Sequence, residues 1–294
     1  MNLLVPAIGF GIASGAIIAL GALGFTLQFG LSDSLNIAYG SFVTAAAFVG
    51  YSCLRLGLGV WVAMLVVTVL VGLLSVGYYE VLIRGLVKRG VRFGSLVVAT
   101  LSAGIVIQYV IVFISGAQTL SYGADAGSTI KLWEITLSST QVILIVIAAG
   151  LMLALHTALR FTTIGRMMRA TAVNRTLARS CGIDTNMVTR GVWFISGMLC
   201  GCAGVALAMT TVSFDYTIGA TFLISVIAAA VVGGIGQPYG AMLGGLVIGL
   251  TEQISAAYLS PEYSDVVAFA LLIIILLARP AGLFSVEARR HELA

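Results

Sequence analysis

The chain alternates long apolar runs with short polar breaks. Charges, glycines and prolines bound nine runs: 3–28, 36–55, 60–83, 94–115, 139–160, 191–212, 219–235, 240–258 and 264–279. Most approach the roughly 20 apolar residues that a helix needs to cross a bilayer. The pattern predicts an all-α polytopic bundle of eight or nine spans, built as one domain over 1–294. The second run and the pair 219–235 and 240–258 are rich in Gly and Ala. Either can be a broken or re-entrant helix, which is tolerated at membrane depth where protein surrounds it. The first run has no Lys or Arg before it and is too long for a signal-peptide core, so it reads as an uncleaved span.

Composition narrows the function classes. Hydrophobic residues make up 60% of the chain and charged residues 9%, with a mean hydropathy of +1.11. So little charge cannot cover a water-exposed surface. That excludes a cytosolic enzyme, a disordered protein and a nucleic-acid binder. The net charge of +4 matters less than its placement. Arg84, Lys88, Arg89 and Arg92 form one basic cluster, and Arg160, Arg166, Arg169, Arg175, Arg179 and Arg190 a second. Arg279, Arg289 and Arg290 form a third, leaving only Arg55 and Lys131 of the 15 basic residues. The alternate loops carry Asp125, Glu134, Asp215, Glu262 and Asp265. The positive-inside rule places the clusters and the C-terminus in the cytoplasm. Nine crossings then put the N-terminus outside, and eight put it inside. The segment 117–138 is the longest polar stretch on the outer side, with Trp133 as an interfacial anchor. It is an exposed loop or a docking surface for an external partner.

Candidate chemistry is sparse. The two histidines, His156 and His291, are far apart, and the four cysteines lack metal-ligand spacing and read as small buried hydrophobes. The sequence contains no GxxxxGK[ST], HExxH or GxSxG. Enzyme activity is therefore not expected, and any work must draw on a partner or a gradient. The polar candidates at membrane depth are Gln28, Asp33, Asn36, Gln108, Glu252 and Gln253. An intramembrane acid is costly and is a functional candidate by default. Glu252 is either a substrate or proton site or a structurally paired group. Asn36 either caps the second helix or belongs to an unwound break that bonds a polar solute.

Two small-residue ladders, Gly11-Gly15-Ala19 and Gly240-Gly244 with Gly245 and Gly249, suit close helix packing and also helices that slide. Tyr39-Gly40-Ser41-Phe42 and Tyr239-Gly240-Ala241-Met242 hint at an internal duplication. The basic loop 160–190 reads as helical. Ala170, Asn174 and Ala178 give it a small-residue face, and Gly182 gives it a left-handed end. It lies on anionic lipid or fits a groove on another protein.

A set of segments breaks this tie. Gly165-Arg166-x-x-Arg169-Ala170-x-Ala172-x-Asn174-x-x-x-Ala178-x-x-x-Gly182-Ile183-Asp184 resembles the cytoplasmic coupling loop of ABC transporter permeases of the branched-chain amino acid (LivH) family. Val232-Gly233-Gly234-Ile235-Gly236 with Tyr239-Gly240-Ala241-Met242-Leu243-Gly244-Gly245 resembles the family's glycine-rich segment. Arg279-Pro280-Ala281-Gly282-Leu283-Phe284 resembles its C-terminal RPxGLF, and Asn36-Ile37-Ala38-Tyr39-Gly40 its N-x-A-H-G. The resemblance implies a heteromeric, ATP-driven importer in a bacterial inner membrane, for branched-chain amino acids or a related small polar solute. The implied partners are a second homologous permease, two cytoplasmic ATPase subunits that bind the ATP, and a periplasmic solute-binding protein. No cofactor is expected on this chain. The resemblance gives Arg169, Ala170, Ala172, Asn174, Ala178 and Gly182 to ATPase coupling. A solute path would run by Asn36, Tyr39, Gly40, Gly234 and Gly236, with Glu252. Tyr39 replaces the family's histidine, which bears on substrate choice if that position lines the path. The competing reading is an ion-coupled secondary transporter with Glu252 as the coupling group.

Overall fold

A computed structural model of the protein describes residues 4–32, 34–123, 129–132, 135–279 and 282–283. In chain order come α1 (Leu4–Ser32), α2 (Tyr39–Arg55), α3 (Val60–Tyr78), a π-turn (Tyr79–Ile83) and α4 (Arg84–Lys88). Then follow α5 (Phe93–Ser115), β1 (Thr129–Leu132), β2 (Ile135–Ser138), α6 (Ser139–Phe161), α7 (Thr163–Val173) and α8 (Arg175–Ser180). The chain continues through α9 (Thr185–Thr210), α10 (Ile218–Gly233), α11 (Pro238–Tyr258), a 3-10 turn (Pro261–Tyr263) and α12 (Ser264–Ala278).

Every predicted apolar run holds a helix. Six are long and apolar enough to cross a membrane: α1, α3 continued through α4, α5, α6, α9 and α11. Helices α2, α10 and α12 have 17, 16 and 15 residues. At 1.5 Å per residue they span about 23–26 Å, short of the ~30 Å hydrocarbon core. Two of the three Gly/Ala-rich runs, α2 and α10, are thus shorter rods, whereas the third, α11, is a full-length helix of 21 residues; α12, which is not Gly/Ala-rich, is short as well. Within the polar loop 117–138 the chain forms a small antiparallel hairpin, Thr129 opposite Ser138 through Leu132 opposite Ile135. Two helix ends extend past the apolar runs. The π-turn and α4 carry the third span through Lys88. Helix α9 begins at Thr185, because Asp184 caps it by accepting from the Asn186 and Met187 amides at 2.9 and 3.1 Å.

Helix α1 is the hub, packed against α11, α9 and α10, while α3 lies along α9. Helices α1 and α11 run antiparallel through the small-residue ladders. Gly11 meets Leu250, Gly15 meets Leu246 and Gly249, and Ala19 meets Gly245. On its other face α11 sets Gly240 and Gly244 against Gly233 and Ala229 of α10. The ladders therefore serve close packing, in which backbones touch because no side chain stands between them. Helices α5 and α6 are peripheral, with Val106, Phe113, Ile114, Val146 and Leu153 exposed, as suits faces toward lipid.

The first two basic clusters and Arg279 share one end of the bundle. Glu80 on the π-turn pairs with both Arg84 and Arg190, joining the first cluster to the second. The His156 ring packs edge-on against Tyr239, with centroids 5.2 Å apart. That places the start of α11 at the same end, and the Leu283 amide ties the C-terminal segment there by donating to Val232 at 2.9 Å. Cys53, Cys200 and Cys202 are buried, as expected for small hydrophobes. Cys181 is exposed instead, beside the Gly182 turn. Asp33, Trp133 and residues 284–294 lie outside the described residues.

Candidate functional site: a polar cavity and a clasped helical loop

At the end opposite the basic clusters, the bundle forms an open cavity of about 690 Å³ between α1, the end of α9, the start of α10 and the last part of α11. One wall is apolar, with Ile17 and Ile18 of α1 and Phe222 of α10. The other is polar. Thr217, Thr221 and Ser225 recur every four residues and so share one face of α10. Ser225 donates to Glu252 at 2.7 Å, and Gln253 lies beside it. Asp215 turns the chain into α10 by accepting from the amide and hydroxyl of Thr217 at 2.9 and 2.6 Å. Among the described residues, the lining includes the carboxylates of Asp215 and Glu252 and no Lys, Arg or His. A volume of this order holds a small solute.

The rim is fixed by backbone pairing. Leu120 and Phe214 exchange two bonds of 2.8 Å, and the Tyr122 hydroxyl donates to the Ala47 carbonyl at 2.8 Å. Burial pushes that hydroxyl above the ordinary tyrosine range, so it stays a donor. A smaller cavity of about 310 Å³ adjoins and shares Gln141, Thr210 and Thr211.

Of the residues expected along a solute path, Glu252 alone lines this cavity. Asn36, Tyr39 and Gly40 lie in the packed core. Tyr39 is 0% exposed, donates to the Gly21 carbonyl at 3.0 Å and meets Phe25 edge-on. Its side chain fits because Gly24 has no Cβ to collide with the hydroxyl. Asn36 does not cap α2. Its amide donates to Gln28 at 3.0 Å, and Gln28 in turn donates to Ser75 at 3.4 Å. Thr100 takes up the irregular backbone at 35–37, accepting from Ile37 at 3.3 Å and donating to Leu35 at 3.2 Å. That is the internal satisfaction that membrane depth demands. Gly40 packs on the Gly219 carbonyl. Gly234 and Gly236 form the α10–α11 turn with φ of 103° and 85°, at the basic end and away from the cavity. Tyr39→Phe is therefore expected to lose one buried hydrogen bond, about 1 kcal/mol. It should lower the melting temperature slightly and leave solute preference unchanged; a changed preference would return Tyr39 to the path.

The loop 160–190 is two short helices joined at a cap rather than one helix with a continuous face. Asn174 stands between them, extended at φ −154°, and accepts from the Leu177 amide at 2.9 Å. Asparagine competes with the helix for backbone bonds, so it favours a cap over a helix interior. Thr162 caps α7 through the Gly165 amide at 3.1 Å. Gly182 ends α8 at φ +83°, in the left-handed form its residue type predicted. Three arginines fasten the loop down. Arg169 donates to the Leu159 carbonyl, Arg175 to Thr189 at 3.0 Å, and Arg179 to Thr185 at 2.8 Å.

The fastening determines which faces are free. Ala178 is 4% exposed and packs inward, so it offers no surface to a partner. Arg169, Ala170, Ala172, Asn174 and Gly182 are exposed. Phe161 and Ile164 project at the start of the loop, and Val173 (88% exposed), Leu177 (61%) and Met187 (71%) project further along it. Sequence reading had passed over these, because the small residues beside them drew the pattern. Glu80 was also missed: it stands at the end of an apolar run, where its pairing with Arg190, 110 positions away, has no local signature.

The comparisons with known proteins agree with one another. Residues 7–276 match the family model described as branched-chain amino acid transport system / permease component. The high-affinity branched-chain amino acid transport system permease protein LivH of Escherichia coli is 31% identical over 287 residues, covering 93% of this chain and 92% of that protein. The corresponding permease protein BraD of Pseudomonas aeruginosa is 28% identical, covering 93% of each. Among solved structures, PsaBC from Streptococcus pneumoniae in complex with Fab shares the fold with a TM-score of 0.53 at 11% identity. The match covers 100% of this chain and 95% of that one. With its apolar helices and a family match over nearly its whole length, the chain is a multi-pass membrane protein. It belongs to the branched-chain amino acid transport system permease family.

Proposed function

We propose that this chain is the membrane-spanning permease subunit of an ATP-driven importer for branched-chain amino acids or a related small polar solute. The 294 residues act as a single permease domain in a bacterial inner membrane, with the basic end and C-terminus in the cytoplasm. A second homologous permease, two cytoplasmic ATPase subunits and a periplasmic solute-binding protein complete the importer. ATP is bound by the ATPases, and this chain carries no cofactor and no enzyme activity.

One observation carries the reading: Val173 and Leu177 project from a capped, arginine-clasped pair of short helices at the basic end, and Met187 projects from the first turn of α9 that follows. Exposed apolar groups on a rigid cytoplasmic mount suit insertion into a groove on another protein. Arg169, Ala170, Ala172, Asn174 and Gly182 frame that contact, while Ala178 supports it from inside. The α8–α9 clasp and the Glu80–Arg190 pair connect the mount to α9 and α3, so a pull on the loop reaches the spans. The cavity at the other end is the solute's entry, facing outward.

The test is purification of the tagged chain from its own membranes in mild detergent. ATPase subunits should accompany it, and reconstituted vesicles should take up leucine only with ATP and a binding protein. Uptake by the chain alone, driven by a proton or sodium gradient, would overturn the assignment.

A further inference from the structure

The third span and α9 meet in two ways. Within the membrane they touch through backbone: Gly197 lies on Ser75 and the Val71 carbonyl, and Gly201 lies on Thr68. Past Ser75, toward the basic end, side chains take over. The Trp193 ring packs against Tyr79 and Tyr78, with centroids 5.2 and 6.0 Å apart. Glu80 meets Arg190 about one α9 turn nearer the loop. Side-chain contacts can part and re-form where backbone contacts cannot. The change falls at the π-turn Tyr79–Ile83, a local departure from the α-helix of the kind at which helices bend.

Glu80 is forked. Its Oε1 accepts from Arg190 Nε, and its Oε2 accepts from the Arg84 guanidinium. Arg84 stands four residues on along the same span, so that pair moves with the span. Arg190 stands on another helix. Its neighbour Thr189 accepts from Arg175 of the loop at 3.0 Å, so a displacement of the loop acts on the Arg190 bond. Losing Arg190 does not strand the carboxylate, because Arg84 still compensates it. All three side chains are partly exposed, and pairs of that kind are weak enough to open and close.

We propose that Glu80 is a positioning residue for coupling: a latch that holds the end of the third span to α9 at rest and releases Arg190 once in each transport cycle. This rests on the loop receiving the stroke of the ATPases. Without the latch the span is never held, and ATP is hydrolysed without transport.

The test follows leucine uptake and phosphate release together, in vesicles carrying the assembled importer with its binding protein. Arg190→Gln and Glu80→Gln should each raise the ATP hydrolysed per leucine at least about threefold, with the ATPase subunits retained. Arg190→Lys keeps the charge and should hold the wild-type ratio. Arg84→Gln should act differently. Opening then strands Glu80, so uptake and hydrolysis should fall together, about threefold or more, at an unchanged ratio. A wild-type ratio in both Arg190→Gln and Glu80→Gln overturns the proposal. So does a raised ratio in Arg84→Gln, since a static brace loses the same function from either arginine. If wild-type uptake needs no ATP, the importer reading itself falls. If it needs ATP and Arg190→Gln keeps the ratio, only the latch is overturned.

Discussion

Gly245→Val is expected to abolish the folded permease. A Cβ at this position would fall inside the backbone of Ala19 on α1. Backbone cannot rotate away as a side chain can, so α1 and α11 must separate along their length. Overpacking a core costs about 1–3 kcal/mol when side chains can adjust; here the obstacle is main chain on both sides, and the cost should exceed that range. Gly249, which meets Gly15 in the same way, should behave alike. Gly150 supplies the control. It is helical too, but a Cβ there meets nothing within 4 Å, and Gly150→Ala should be neutral or slightly stabilising through helix propensity. Monodispersity and thermal melting of the purified importer separate these outcomes. Equal stability of the Gly245 and Gly150 variants would remove the seam from its central place in the fold.

Leu177→Asp is expected to reduce ATP-driven uptake more than tenfold while the permease remains folded. The side chain points away from the protein, so a charge there costs the isolated chain little. In a groove on an ATPase it would leave an unpaired carboxylate where an apolar anchor should be, a loss typical of interface hot spots at about 2 kcal/mol or more. ATPase subunits should also co-purify less. Leu56→Asp is the control: Leu56 is an exposed leucine too, more so than Leu177, at the opposite end. The choice of residue matters. Ala178→Arg would place a guanidinium in a buried position and break the loop itself. Gly182→Asp would force a side chain into a left-handed conformation. Neither would report cleanly on coupling. Normal uptake and ATPase retention in Leu177→Asp would transfer the contact to another face.

The helices and their ladders were legible because both are local signals. Apolar runs mark the spans, and glycines four apart mark the seam between α1 and α11. The hydroxyl row Thr217-Thr221-Ser225 was not singled out from the sequence, although its residues stand at helical spacing in an apolar run, because it becomes meaningful only once Glu252 stands opposite. Tyr39 shows the converse. A polar residue at a break looks like a solute contact, and whether its hydroxyl finds a solute or the Gly21 carbonyl depends on α1, which the pattern cannot place. The break at Asn174 was written in the residue type, but the regular spacing of Ala170, Asn174 and Ala178 concealed it. Spacing alone does not distinguish a helix interior from a cap between two helices.

The π-turn at Tyr79–Ile83 bears on how the third span tolerates changes of length. A residue inserted into an α-helix normally turns everything beyond it by about 100°, which would carry Arg84 and Lys88 to another face. A π-turn stores the extra residue as a local widening instead. The segments on either side keep the phase they would have in a helix one residue shorter. Tyr79 and Ile83 are buried there, while Val81 is almost fully exposed, so the widening opens outward from the core. The end of this span that meets Arg190 can thus gain or lose one position without disturbing the faces that α3 presents within the membrane.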